Sequence, residues 1–161
     1  SPAPELGRYG NRTIRKGETM RALLFKAVGQ PLVVEALPDP EPGEGEVVVR
    51  VSRCGVCGTD LHSTSGHGMT LPANSQLGHE YGGEVVAVGK GVERFTVGDH
   101  LSALPVVGCG QCEACKTGID VLCSAWKSYG GGLAEYARVS ERGATKRRGA
   151  ENAVDFAVAL H

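Results

Sequence analysis

The sequence has little of what marks several classes of protein. Aromatic residues make up 5% of the 161 residues, with a single tryptophan. The 17 basic residues are balanced by 18 acidic ones, so the formal net charge is −1. Domains that bind nucleic acids usually carry a basic excess on one face, so nucleic acid is not an expected partner. No apolar run approaches the roughly 18 residues needed to cross a bilayer, so a membrane is not expected either.

The first 19 residues contain no apolar stretch that could serve as a secretory signal. We expect residues 1–19 to form a flexible leader and the protein to be cytoplasmic, with reduced thiols. The remaining length suits one domain with its own hydrophobic core. The 24 glycines and 8 prolines favour short strands and turns over long helices.

Runs of β-branched and aliphatic residues between turn signals predict a mainly β fold. The predicted strands are residues 21–26, 32–35, 46–52, 83–88, 100–107 and 132–139. A glycine-rich loop is expected up to Leu77, and residues 142–149 are expected to form a basic loop. Residues 151–161 carry apolar side chains at helical spacing, which predicts a short C-terminal helix. Such a helix would have an apolar face with no partner in this chain. Self-association into a homo-oligomer would cover that face.

Six cysteines are the most informative feature, and four of them lie within fifteen residues. They are Cys109, Cys112, Cys115 and Cys123. Four thiolates can complete the tetrahedral shell of a structural zinc ion at about 2.3 Å from each sulfur. An iron–sulfur cluster also takes four cysteines, but the usual ferredoxin spacings differ from this one. Buried free thiols are the other alternative, and such close spacing argues against them.

A second group of metal-binding side chains is spread over two separate segments. Cys57 is followed by Thr59, Asp60 and His62, whereas His79 and Glu80 come later in the chain. A thiolate, an imidazole and a carboxylate could form a zinc site with an open position, and Asp60 could fix the tautomer of His79. Alternatively, Cys54 and Cys57 could form a redox pair, although no βαβ unit surrounds them. Either histidine could also be an ordinary surface or core residue.

These segments together resemble the zinc-containing medium-chain dehydrogenases. The resemblance is carried by the motifs at residues 57–62, 78–83 with Gly89 and Val92, 98–100, 109–123 and 131–136. It implies a GroES-like β-barrel catalytic domain over residues 20–141, with a structural zinc lobe at 109–123. A catalytic zinc would be bound by Cys57, His79 and Glu80. Thr59 would contact the substrate hydroxyl and pass its proton towards His62, with Asp60 in support.

The implied activity is the oxidation of an alcohol or polyol to an aldehyde or ketone, with NAD or NADP as the hydride acceptor. The 161 residues contain no Gly-x-Gly-x-x-Gly turn, so we expect the Rossmann domain to be absent from this chain. Residues 142–161 would then be a linker and the start of a helix towards that domain. The family's further zinc ligand has no aligned counterpart, since only Glu151 and Asp155 are nearby.

Three other functions remain as alternatives. The first is a truncated or engineered GroES-like domain that binds zinc but has no dehydrogenase activity. The second is a nucleic-acid-binding zinc module, against which the charge balance argues. The third is a GroES-like co-chaperone, which would have no use for the zinc ligands.

Overall fold

A computed structural model describes residue 14 and residues 17–68 and 71–147 of the chain. Within these residues the structure is mainly β, as the sequence predicts. The strands are β1 Thr19–Phe25, β2 Val33–Pro38, β3 Glu46–Gly55, β4 Ser75–Gln76, β5 Glu80–Val88, β6 His100–Ala103, β7 Val106–Val107, β8 Lys127–Ser128, β9 Tyr136–Ser140 and β10 Ala144–Lys146. The described part of the chain also contains two α-helices, α1 Gly58–Ser65 and α2 Glu113–Lys116, and short 3-10 helices at Asp120–Leu122 and Glu141–Gly143.

The main sheet has five antiparallel strands in the order β10-β6-β5-β3-β9. The strand β3 lies between β5 and β9 and is buried on both faces at residues 47–49, which explains why these three valines run without alternation. Val47 and Val49 pack into one apolar cluster, whereas Val48 packs into another. The first cluster comprises Val47, Val49, Tyr81, Val85, Phe95, Leu101, Ala103, Ala137, Val139 and Ala144. The second comprises Met20, Ala22, Leu24, Val48 and Tyr136.

A smaller sheet, in the order β2-β1-β4, closes over the second cluster. The strand β1 contributes Met20, Ala22 and Leu24 to that cluster, which is the period of two expected of a strand with one buried face. An isolated bridge between Ala22 and Ala134 links β1 to the segment that leads into β9. Of the three β3 valines, Val48 is the one that packs with the β1 side chains in this cluster.

The strand β5 is longer than predicted, since it begins at Glu80 and not at Gly83. Gly82 and Gly83 both lie inside this strand. A Cβ at either position would collide with neighbouring backbone, which explains why both residues are glycines. At Gly82 it would lie 2.9 Å from the carbonyl oxygen of Leu101, and at Gly83 it would overlap the carbonyl oxygen of Arg50. The glycines therefore mark close packing between strands and not a turn.

Two predicted loops contain regular structure: the glycine-rich loop includes part of α1 and the short strand β4, and the basic loop includes β10. Residues 58–65 form α1, which the Asp60 side chain caps by accepting a hydrogen bond from the Cys57 backbone N–H, and which ends at Gly66 with φ of 80°. Residues 144–146 form β10, which pairs with β6 at the edge of the main sheet. These elements are not apparent from the sequence because they are short and polar. The predicted C-terminal helix at 151–161 and most of the predicted leader lie outside the described residues. No described helix is long and apolar enough to cross a membrane.

Candidate metal centres

The four-cysteine lobe is the segment between β7 and β8, and it contains α2 and the first 3-10 helix. Its sulfur atoms, from Cys109, Cys112, Cys115 and Cys123, all lie within 4.8 Å of one another. Four sulfurs at about 2.3 Å from a tetrahedral zinc ion are about 3.8 Å apart, so this cluster is close to the required size. The Sγ atoms of Cys112 and Cys115 are 3.5 Å apart, and all four thiols are free.

Backbone N–H groups of the lobe point at its sulfur atoms. The N–H of Cys109 and that of Ala125 both lie within hydrogen-bonding distance of Cys123 Sγ, at 3.3 and 3.4 Å. The N–H of Gln111 approaches Cys109 Sγ at 3.5 Å. Such donors stabilise the thiolate form, which is the form that binds a metal.

The lobe's thiols differ in their acidity. Backbone N–H groups of Gln111 and Cys112 lower the pKa of Cys109 to about 6. Removal from water raises the pKa of Cys115 to about 12, and contact with the other thiols adds to the rise. Four adjacent thiolates would repel one another without a cation, and a bound divalent ion removes that penalty. The donor set, its size and its N–H groups therefore fit a zinc ion.

The second candidate centre forms where β3 and β5 meet. Gly55, the last residue of β3, is the Cα partner of Glu80, the first residue of β5. Cys57 lies two residues beyond Gly55, and His79 immediately precedes Glu80. The register thus brings together two segments that are 22 residues apart. Cys57, His79 and Glu80 each offer one potential ligand atom, and these three atoms lie within 4.8 Å of one another.

Asp60 supports this centre from α1. Its Oδ2 accepts the hydrogen bond from the Cys57 backbone N–H at 3.0 Å, and its Oδ1 lies 3.5 Å from His79 Nδ1. The carboxylate is buried, with Asp60 only 7% exposed. A carboxylate beside Nδ1 favours the tautomer with the proton on Nδ1, which leaves Nε2 as the nitrogen available to a metal.

Thr59 and His62 lie on the exposed side of α1. The Oγ1 of Thr59 is 3.7 Å from Cys57 Sγ, so the hydroxyl adjoins the candidate ligands. His62 is three residues further along the helix, on the same face as Thr59. It lines an open cavity of about 680 Å³ together with Leu32, Leu61 and other residues.

Two glycines and one cysteine shape the centre without being ligands. Gly78 has φ of 86°, and a Cβ there would lie 2.6 Å from the backbone nitrogen of Leu133 and 2.7 Å from Cys54 Sγ. A Cβ at Gly55 would lie 2.6 Å from Glu80 Oε2. Cys54 is partly buried against the first cluster, and burial raises the pKa of its thiol to about 11. Neither glycine is recognisable from the sequence as a packing requirement, although Gly78 directly precedes His79 and Gly55 lies two residues before Cys57.

Comparison with known proteins agrees with this architecture. Residues 43–148 match the family model described as the alcohol dehydrogenase GroES-like domain. The chain is 42% identical over 130 residues to an L-threonine 3-dehydrogenase from Saccharopolyspora erythraea, and the match covers 76% of this chain and 38% of that protein. The chain thus spans well under half the length of this relative.

Solved structures show the same relationship. An alcohol dehydrogenase from Escherichia coli CFT073, complexed with NADH, superposes with a TM-score of 0.78 at 35% identity, covering 89% of this chain and 42% of that one. A thermostable alcohol dehydrogenase from Pyrobaculum aerophilum, with cobalt and zinc bound, superposes with a TM-score of 0.75 at 32% identity, covering 82% and 42%. The family match extends over most of the chain, and the fold agrees with it. The chain therefore belongs to the alcohol dehydrogenase GroES-like domain family.

Proposed function

We propose that this chain is the catalytic domain of a zinc-dependent alcohol or polyol dehydrogenase, with NAD or NADP as the hydride acceptor. The observation that carries the proposal is the convergence of Cys57, His79 and Glu80, with Asp60 behind His79. We assign residues 20–141 to the catalytic domain and 109–123 to its structural zinc lobe. The strand β10 adds residues 144–146 to the same sheet.

Two zinc ions are proposed, with different roles. The four cysteines of the lobe would provide a closed shell that stabilises the fold, whereas Cys57, His79 and Glu80 would leave one position for a substrate. Lewis acidity at the substrate oxygen is the chemistry that zinc supplies when bound there, and the nicotinamide accepts the hydride.

The chain's own residues would handle the proton. Oxidation of an alcohol to a carbonyl releases a hydride from carbon and a proton from the hydroxyl group. The Thr59 hydroxyl, beside Cys57, would accept the hydroxyl proton and pass its own proton towards His62. Because His62 is exposed on α1, it can release the proton to water. Asp60 would keep His79 oriented throughout, since it holds both the helix start and the imidazole.

A second candidate is a zinc-binding GroES-like domain without dehydrogenase activity of its own. The 161 residues contain no Gly-x-Gly-x-x-Gly turn of the kind that holds a dinucleotide, which favours this candidate for the chain by itself. Both candidates share the lobe zinc. They differ in the second metal and in cofactor binding.

Zinc analysis and calorimetry distinguish the two candidates. The natively purified chain should contain two zinc ions, one for each cluster, and Cys57→Ser should contain one. Titration with NADH and NADPH, followed by an assay of secondary-alcohol oxidation, tests the redox role. A chain with one zinc ion, no heat of cofactor binding and no activity would favour the second candidate. A chain that retains no zinc would contradict both.

A further inference from the structure

Cys109 is the most exposed of the lobe's four cysteines. It is exposed, whereas Cys123 is only 2% exposed. It also lies between two glycines, Gly108 and Gly110, and Gly110 has φ of 80°. Glycine restricts the backbone less than any other residue. Contacts from outside this tripeptide must therefore set the position of the Cys109 thiol.

The first of these contacts comes from Asp120. Its Oδ2 accepts a hydrogen bond of 2.8 Å from the Gly108 backbone N–H. A Cβ at Gly108 would lie 2.9 Å from Asp120 Cγ and would overlap Cys115 Sγ. The residue before Cys109 is therefore packed between the carboxylate and another sulfur ligand, and only glycine fits there.

The second contact comes from Arg142, in the 3-10 helix that follows β9. A Cβ at Gly110 would lie 2.6 Å from Arg142 Cζ, 2.7 Å from Nη1 and 2.9 Å from Nε, so the guanidinium covers this glycine. The Nη2 of Arg142 is 3.7 Å from the same Asp120 Oδ2 that accepts the Gly108 hydrogen bond. One acid–base pair thus contacts the residues on both sides of Cys109.

We propose that Asp120 and Arg142 are positioning residues that hold Cys109 in place for the lobe's zinc ion. The inference rests on the proposed binding of zinc by the lobe. The Arg142 side chain is 47% exposed, and ion pairs this exposed contribute little to folding. Groups that orient metal ligands, by contrast, commonly change metal affinity by about 10–100-fold. The pair should therefore affect zinc retention far more than it affects the stability of the metal-free fold.

The test measures how fast zinc leaves the lobe. Cys57→Ser serves as the background, so that the lobe is the remaining proposed metal site, and an excess of a chromophoric chelator takes up the released zinc. Asp120→Ala should accelerate release by about 10-fold or more, as expected for the loss of a group that orients a ligand. Asp120→Asn keeps an oxygen for the Gly108 N–H and should give an intermediate rate. Arg142→Met keeps apolar packing but loses the charge, and it should also accelerate release.

A matched control removes an ion pair elsewhere. Asp99 and Lys146 form a pair of 2.7 Å outside the lobe, so Asp99→Asn should leave the release rate unchanged. The absorption spectrum of the cobalt-substituted protein provides a second measurement. Asp120→Ala and Arg142→Met should change the bands that report the four-thiolate geometry, whereas Asp99→Asn should not.

Three results would overturn the proposal. First, Asp120→Ala and Arg142→Met could release zinc at the parent's rate and give the parent's cobalt spectrum. That result would show that the pair does not position Cys109, while zinc binding by the lobe would stand. A metal-free Asp120→Ala that unfolds far more easily than metal-free Asp99→Asn would show that Asp120 acts on the fold. A parent chain without zinc in the lobe would remove the proposed metal site and this inference together.

Discussion

Gly55 and Glu80 are paired across the β3–β5 ladder, and this pairing assembles the candidate catalytic centre. The ladder shifts register between Val51 and Arg53, and Gly55 comes opposite Glu80 only after this irregularity. The absence of a side chain at Gly55 leaves room for the Glu80 carboxylate. Cys57 and His79 then extend from the paired strand ends on the same side of the domain.

Cys112→Ser is expected to abolish zinc binding by the lobe and to lower the free energy of unfolding by several kcal/mol. The reason is that zinc binding contributes about 10–16 kcal/mol in comparable peptide sites, and three thiolates with a hydroxyl bind zinc more weakly. Zinc content and urea unfolding measure the two effects. Cys54→Ala, outside the lobe, is the control and should keep the lobe's zinc. Unfolding of Cys112→Ser at the parent's urea concentration would show that the lobe is not structural.

Cys57→Ser is expected to remove the second zinc ion while leaving the stability nearly intact. The three candidate ligands lie at strand and helix ends, where a metal adds little to a fold already held by two apolar clusters. Zinc content should fall from two ions to one, and the unfolding curve should overlay that of the parent. A Cys57→Ser chain that still binds two zinc ions would contradict the assignment of Cys57 as a ligand.

Asp60→Ala is expected to weaken both the helix start and the second metal site. Loss of a side-chain cap costs about 0.5–2 kcal/mol, and loss of a carboxylate that orients a histidine ligand lowers metal affinity by about 10–100-fold. Urea unfolding of the metal-free chain and zinc competition titration separate the two losses. His62→Gln, on the exposed face of the same helix, is the control and should change neither quantity. Zinc affinity at the parent's value in Asp60→Ala would mean that the Asp60–His79 contact has no role in binding.

Gly78→Ala is expected to destabilise the domain by about 1–3 kcal/mol or more, because the left-handed backbone and the lack of space both disfavour a side chain. The new Cβ would collide with the backbone of Leu133 and with Cys54. Since His79 follows directly, binding of the second zinc should weaken as well. Gly130→Ala is the matched control, because its Cβ would meet one atom at 3.7 Å and its φ is not positive. Equal unfolding curves for the two variants would contradict the packing argument.

Tyr129→Phe is expected to reduce the loss of stability at alkaline pH. Removal from water, and then the hydrogen bond that Tyr129 donates to Glu46, raise the pKa of this phenol to about 12. The unfolded value is about 10. The folded chain therefore holds the proton more tightly, and the resulting stabilisation is complete below about pH 10 and is lost as the pH rises towards 12.

Urea unfolding at several pH values between 9 and about 12 measures this contribution, because it is linked to a single proton. The parent should lose more stability over this range than Tyr129→Phe does. Parallel curves for the two proteins would show that Tyr129 does not titrate differently in the folded state.

The strands were largely predictable from the sequence, because β-branched runs between turn residues are a local signal. The errors fall where packing overrides that signal. The strand β5 begins at Glu80 and not at the predicted Gly83, and Gly82 lies within it where the neighbouring strand leaves no room for a side chain. The helix α1 depends on the cap that Asp60 provides, and its apolar periodicity is weak.

The sequence by itself determined the lobe, since four cysteines within fifteen residues can reach a common ion with little loss of chain entropy. It also supplied Cys57, His79 and Glu80 as candidate ligands. Only the tertiary structure decided that these three lie together, because their meeting depends on the register of β3 against β5. The same holds for Asp120 and Arg142, whose contacts with Gly108 and Gly110 arise from the docking of the lobe against the end of β9. Pairing between distant segments is set by the packing of the whole domain, and no local pattern encodes it.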